Sequence, residues 1–208
     1  DVKYKDGDKG RYWLHAQSTD KLVLFATNGR FYTLACDKLP GGRGNGEPVR
    51  LLLDLANDQE IVDLMVHDPE RKLLVAATDG RGFVVEEKAT VAQTRSGRQV
   101  LNVSGDVEAA VCAPVQGDHL AVVGDNHKLI IFPIEELPEM TRGRGVVLQK
   151  YRDGGLADAK TMNLADGLTW KQAGGRTRTE TDLEMWLGKR SQAGRLAPKG
   201  FPKNNRFS

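Results

Sequence analysis

A hairpin that returns about every fifty residues constrains this chain more than any other feature, because a repeat of that length dictates the whole architecture. Residues 21–34 read KLVLFATNGRFYTL, two apolar runs joined through Asn28-Gly29, a dipeptide that supplies the positive φ angles of a tight hairpin turn. The design recurs as LLVAATDGRGFVV at 73–85, LAVVGDNHKLIIF at 120–132 and LTWKQAGGRTRTE at 168–180. Turn positions Gly29, Gly80, His127 and Gly175 are 51, 47 and 48 residues apart. His127 replaces glycine in the third turn, and histidine enters the left-handed region more readily than bulkier residues.

Between hairpins lie further short apolar runs, read here as strands: VRLLLDL (49–55), EIVDLMV (60–66), VLNVS (100–104) and EAAVCAPV (108–115). Short strands in units of forty to fifty residues, without sustained helical periodicity, predict propeller blades. The expected fold is all-β, a single domain over 1–208 with an incomplete first blade at 1–20 and repeats at 21–67, 68–116, 117–165 and 166–208. The tail at 195–208 lacks alternation, and its two prolines argue against a central strand.

The basic residues keep the same register. A cation follows each turn: Arg30, Arg81, Lys128 and Arg176. A second set, Arg43, Arg95, Arg142 and Arg190, follows 13, 14, 14 and 14 residues later. These lie in the loops GGRGNGEP (41–48), RSGR (95–98), RGRG (142–145) and GKRSQAGR (188–195), which add Arg98, Arg144 and Lys189. Glycine admits close approach and frees N–H groups for anions, while arginine and lysine neutralise phosphate. Four such loops in phase predict a track along one edge that grips duplex DNA by its backbone with little sequence readout. Trp13, Trp170 and Trp186 are read as core residues, since aromatic residues do not interleave with the basic loops.

Overall charge does not announce this role. The chain holds 30 Lys+Arg against 28 Asp+Glu, a net +2, but 170–208 carries +6 and the rest −4. Cys36 and Cys112 stand far apart in apolar runs, which suggests neither a disulfide nor a zinc site and fits a reducing cytoplasm. No apolar run is long enough for a membrane span, no signal peptide is evident, and the start without Met suits a piece of a longer polypeptide. His15, His67, His119 and His127 have no metal-ligand spacing, the acids Asp58, Glu60 and Asp63 form no metal loop, and no Walker motif occurs. No constellation supports catalysis.

Taken in order, LPGGRGNGEPVRLLLDL (39–55), KLLVAATDGRGFVV (72–85), IIFPIEELPEMTRGRGVVL (130–148) and LGKRS (187–191) resemble the C-terminal domain of the A subunit (ParC) of bacterial DNA topoisomerase IV. The resemblance covers about residues 4–194, and its most specific element is Arg43-Gly44-x-Gly46-Glu47-Pro48. It implies a broken propeller, or β-pinwheel, of about four to five blades that exchange strands and bind duplex DNA on the outer rim. It further implies a nucleoid-associated, non-catalytic domain, monomeric when isolated, which presents the transported segment for decatenation. The rest of the A subunit would carry the tyrosine that cuts DNA, and the B subunit of topoisomerase IV would hydrolyse ATP, with Mg²⁺ also outside this domain. The related gyrase domain wraps DNA with a Gln-Arg-Arg-Gly-Gly-Lys-Gly box that is absent here. A gyrase-type wrapping domain and a propeller used only for protein contacts remain the alternatives.

Overall fold

The computed structural model describes residues 4–208. The hairpins form as the turn chemistry dictates: β1 (Lys21–Ala26) with β2 (Arg30–Ala35), β4 (Lys72–Ala77) with β5 (Arg81–Glu86), β8 (His119–Gly124) with β9 (Lys128–Pro133), and β12 (Leu168–Lys171) with β13 (Thr177–Glu180). His127 sits at φ +62°, the left-handed conformation its turn requires. The runs at 60–66 and 108–115 become β3 (Ile61–Val66) and β7 (Ala109–Pro114), which pair with β1 and β4; β11 (Leu156–Met162) pairs with β8. Each of these three strands carries a bulge at the same point, at Val62, Ala110 and Ala157, so the repeat is kept to single-residue register.

The fourth strand of each complete blade comes from the next repeat. β6 (Arg98–Gln99) crosses back to pair with β2, β10 (Val146–Val147) with β5, and β14 (Arg195–Leu196) with β9. The sheets are therefore ordered β3-β1-β2-β6, β7-β4-β5-β10 and β11-β8-β9-β14, followed by the two-stranded β12-β13. We call them blades 1 to 4. This is an all-β propeller that does not close, in which neighbours exchange strands.

Two strand expectations require correction, those at 49–55 and 100–104. Residues 49–55 form a single helical turn, α1 (Val49–Leu52), and among the described residues no sheet accepts them as a strand. Leu53 and Leu55 instead cover the outer face of blade 1 together with Leu24, Ala26 and Tyr32. Residues 100–104 contribute only an isolated bridge at Leu101, and the strand they were expected to form is the two-residue β6 just before them. The tail pairs only through the two-residue β14 at the edge of blade 3, as the expectation of no central strand allows. Its prolines fall outside that strand, and Phe201 and Phe207 close the last core against Trp170. Residues 4–20 carry no strand; Arg11 and Tyr12 bond to the Ile61 and Val62 carbonyls of β3. Trp13, expected in the core, is 71% exposed.

The cores lie between blades, so a middle strand buries both faces. Leu73 and Val75 of β4 face blade 1, packing with Phe25 and Phe31, while Leu74 and Ala76 face blade 3 and meet Leu120 and Phe132. That is why the hairpin strands read as continuous apolar runs and not as alternation. Burial of each such Leu, Val or Phe stabilises the fold by roughly 1.5–3 kcal/mol. Blades 1 and 2 are also tied by charge: fully buried Glu87 accepts from Arg71 Nε at 2.7 Å and from the Asp68 N–H, and contacts His67 Nδ1 at 2.8 Å.

Candidate nucleic-acid interface

Each complete junction is built around one glycine. Gly97, Gly145 and Gly194 directly precede the exchanged strands β6, β10 and β14, and hold φ of +74°, +73° and +76°. A Cβ on them would lie 2.8, 2.1 and 2.3 Å from the carbonyl oxygens of Phe31, Gly82 and Leu129, so only glycine fits this crossing. Those three carbonyls belong to the residues after Arg30, Arg81 and Lys128. The post-turn cation of one blade is thus brought against the basic glycine loop of the next repeat.

This changes which cations are neighbours. Sequence spacing groups Arg30 with Arg43, whereas the fold sets Arg30 against loop 95–98, where its guanidinium donates to the Ser96 and Gly97 carbonyls at 3.1 and 3.5 Å. Arg81 lies opposite Val147, next to loop 142–145, and Lys128 lies opposite Leu196, beyond loop 188–195. Among the described residues, the sheet of Arg176 receives no exchanged strand, and loop 41–48 crosses to no other blade.

The predicted cations divide by what already holds them. Arg95 donates to the Leu51 carbonyl at 2.7 Å and lies 3.7 Å from Asp54, and Arg190 donates to the Val147 carbonyl at 2.8 Å. These two, with Arg30, bolt the loops to the preceding repeat. Arg142 reaches Asn102 and Arg144 reaches Asp79, both at 3.4 Å, long contacts on exposed side chains that an incoming phosphate can displace. Among the described residues, the side chains of Arg43, Arg81, Arg98, Lys128, Arg176 and Lys189 make no hydrogen bond or ion pair within the protein.

Arg195, the last residue of loop 188–195, was not among the cations singled out from the sequence. Arg195 follows Gly194 as Arg98 follows Gly97, and both are exposed on exchanged strands. The recurring Gly-Arg dipeptide was the signal, hidden because the tail was not recognised as a strand.

Two carboxyls with displaced pKa values lie on strands away from the basic glycine loops. Asp63 of β3 and Asp158 of β11 each follow the bulge residue of their strand and line a common cleft with Cys112 and Arg206. Burial pushes both carboxyls above their usual range against the pull of backbone N–H donors, from Leu64 for Asp63 and from Phe207 and Ala159 for Asp158. Among the described residues no group of three or more His, Cys, Asp or Glu is arranged to hold a metal ion, and no helix is long and apolar enough to cross a membrane.

Comparison with known proteins gives this arrangement a family. The family described as DNA gyrase C-terminal domain, beta-propeller, matches residues 20–68 and 118–156, the repeats of blades 1 and 3. The A subunit of DNA topoisomerase 4 from Caulobacter vibrioides is 47% identical over 100% of this chain and 27% of its own length. The Rickettsia bellii protein of the same name is 44% identical over 100% of this chain and 28% of its own length. This chain therefore spans little more than a quarter of the curated relatives it matches. The solved E. coli ParC C-terminal domain superposes with a TM-score of 0.84 at 23% identity, covering 97% of this chain and 86% of that one, a likeness of fold. With blades that exchange strands and a ring that does not close, the chain belongs to the family of ParC C-terminal domains, those of the A subunit of DNA topoisomerase IV.

Proposed function

We propose that this domain is a non-catalytic holder of duplex DNA within topoisomerase IV, gripping phosphates along the rim and presenting a segment for decatenation or relaxation to a catalytic core elsewhere in the enzyme. The tyrosine, ATP and Mg²⁺ chemistry would belong to the rest of the A subunit and to the B subunit. The observation that carries this reading is the repeated junction, in which cations from two successive repeats meet at a glycine crossing. Exposed, unpaired arginines on short edge strands offer charge to a backbone but no recognition helix for a groove, so affinity should depend on salt more than on sequence.

The test is duplex binding by the variant Arg98→Glu/Arg195→Glu, titrated at several salt concentrations. Both side chains are exposed and bolt no loop, so the fold should persist with changes of no more than about 0.5 kcal/mol per site. Affinity should fall, and the log–log salt slope should shrink by about 0.9 for each phosphate no longer neutralised. Arg142→Glu/Arg144→Glu should behave likewise. Unchanged binding by both variants with the β-sheet spectrum intact would refute the rim assignment and favour a propeller used only for protein contacts.

A further inference from the structure

The three glycine crossings are alike in backbone and unlike in charge. One arginine directly flanks each glycine: Arg98 after Gly97, Arg144 before Gly145 and Arg195 after Gly194. Among the described residues, the side chains of Arg98 and Arg195 make no hydrogen bond or ion pair within the protein. Arg144 differs, because its Nη2 donates to Asp79 Oδ2 at 3.4 Å, with the arginine side chain 63% exposed and the aspartate 23%. Asp79 directly precedes Gly80 in the turn of blade 2, so the contact joins that turn to loop 142–145 of the next repeat. We propose that Asp79 is a positioning residue for DNA binding, one that holds Arg144 away from phosphate and sets the second crossing below the other two in its grip. This rests on the reading of the glycine crossings as the DNA-binding edge.

The repeats supply their own comparison. Asn28 in blade 1 and Asn126 in blade 3 stand where Asp79 stands in blade 2. All three perform the same local task, in which Oδ1 accepts the backbone N–H two residues on: Asn28 from Arg30 at 3.0 Å, Asp79 from Arg81 at 3.1 Å and Asn126 from Lys128 at 3.1 Å. An amide oxygen serves that bond as a carboxylate does, and Asn-Gly suits a tight hairpin turn as well as Asp-Gly. The turn therefore requires no charge. What the carboxylate adds is a second acceptor oxygen, where Asn28 instead has an amide nitrogen that donates to the Tyr32 hydroxyl at 2.9 Å. The place of Arg144 shows the matching difference, since Ser96 and Ala193 precede the other two crossing glycines. Acid and arginine occur together at one crossing, and both positions are neutral at the other two.

The pair is not what seats the loop. Val146 and Val147 pair with Gly82 and Arg81, the Leu148 N–H bonds the Gly80 carbonyl, and Gly145 lies so close to the Gly82 carbonyl that a Cβ would not fit. All of these contacts are made by backbone, without the Arg144 side chain. A single long contact on an exposed arginine contributes little to stability. For a DNA phosphate it matters more, because the guanidinium must leave one anion to meet another. Arg142, in the same loop, reaches only the neutral Asn102 and meets no such competition.

Binding of a linear duplex at several salt concentrations tests this with the parent chain, Asp79→Asn, Arg144→Gln and the double variant Asp79→Asn/Arg144→Gln. Asp79→Asn installs the residue that blades 1 and 3 already carry, so its thermal melt should match the parent's. Its affinity for the duplex should rise about two- to fivefold, the range an exposed ion pair commands. The log–log salt slope should steepen by up to about 0.9, one phosphate's worth. In the Arg144→Gln background the same substitution should bring no gain, because there is no arginine to release. Asp166→Asn removes an equal charge from an exposed site at the other end of the blade 4 hairpin from its turn, and should leave affinity at the parent's value. Unchanged affinity in Asp79→Asn would overturn the proposal, as would a gain of equal size in the Arg144→Gln background or one that Asp166→Asn reproduces. A parent that binds duplex and ignores Asp79 sinks this inference alone. A parent with no salt-dependent duplex binding sinks the reading of the crossings, and this inference with it.

Discussion

Blades 3 and 4 are neighbours built from the same repeat, yet they are held together by different means. Blade 3 sets KLIIFP in β9 between two other blades and is completed by β14 from the following repeat. Blade 4 has TRTE in β13, exposed or half-buried throughout, and among the described residues no strand beyond it. Its core comes from the chain terminus, where Phe201 and Phe207 pack on Trp170, Asp158 accepts the Phe207 N–H at 2.9 Å, and His127 and Asn205 join at 2.6 Å. The opposite end is finished differently again, by α1 and Leu53 over the outer face of blade 1. In repeat proteins the ends must be made unlike the middle, since an apolar face with no neighbour meets water. Among the described residues, the outer face of blade 1 is covered by a folded-over segment, and blade 4 carries a polar strand at its edge.

Three perturbations would break or sharpen this contrast. The largest effect is expected from Phe207→Ala, at about 3–5 kcal/mol. If blade 4 depends on the tail, hydrogen exchange should rise in β12 and β13 while β4 and β5 stay protected, whereas a uniform rise would mean that the blades unfold as one unit. Next come the junction glycines. Gly145→Ala meets the Gly82 carbonyl and should cost clearly more than Gly46→Ala, which meets nothing and bears only the left-handed penalty of roughly 1–2 kcal/mol. Equal losses in thermal melts would remove the distinction between a glycine at a crossing and one in an open loop.

The smallest effect separates Asp63 from Asp158. Burial raises the folded pKa of each, so the native state binds its proton more tightly than the unfolded chain, and stability present at low pH is lost as pH rises through the folded pKa. Asp63→Asn removes that penalty without disturbing a tail contact. Its melting temperature should exceed the parent's slightly at neutral pH, with the gap closing as the pH falls toward about 4. Asp158→Asn should gain less or lose, because one of its oxygens holds the Phe207 N–H. Identical shifts would show that the tail contact contributes nothing.

The hairpins were legible because turn chemistry is local: Asn28-Gly29, Asp79-Gly80 and even His127 declare their backbone before any tertiary contact exists. The blades' outer strands were not. β6, β10 and β14 are two residues each, too short for periodicity, and their pairing partners lie some seventy residues earlier in the chain. The apolar run at 49–55 looked more like a strand than any of them, yet Leu53 and Leu55 pack as a cap on the face of blade 1. The basic loops followed the same division. Arg and Lys in phase were visible as residues, but sequence spacing coupled Arg30 to Arg43, and strand exchange moved each partnership one repeat along.

By itself, then, the sequence determined what neighbouring residues decide: hairpin positions, the repeat length, two-faced apolar strands, and glycine-arginine loops held in phase. Only the tertiary structure decided which loop meets which blade, which arginines are spent on backbone carbonyls, and how the ends are closed. The physical reason is that a two-residue strand has no stability of its own. Its place is chosen by the free edge that receives it, and that edge exists only once the preceding blade has folded.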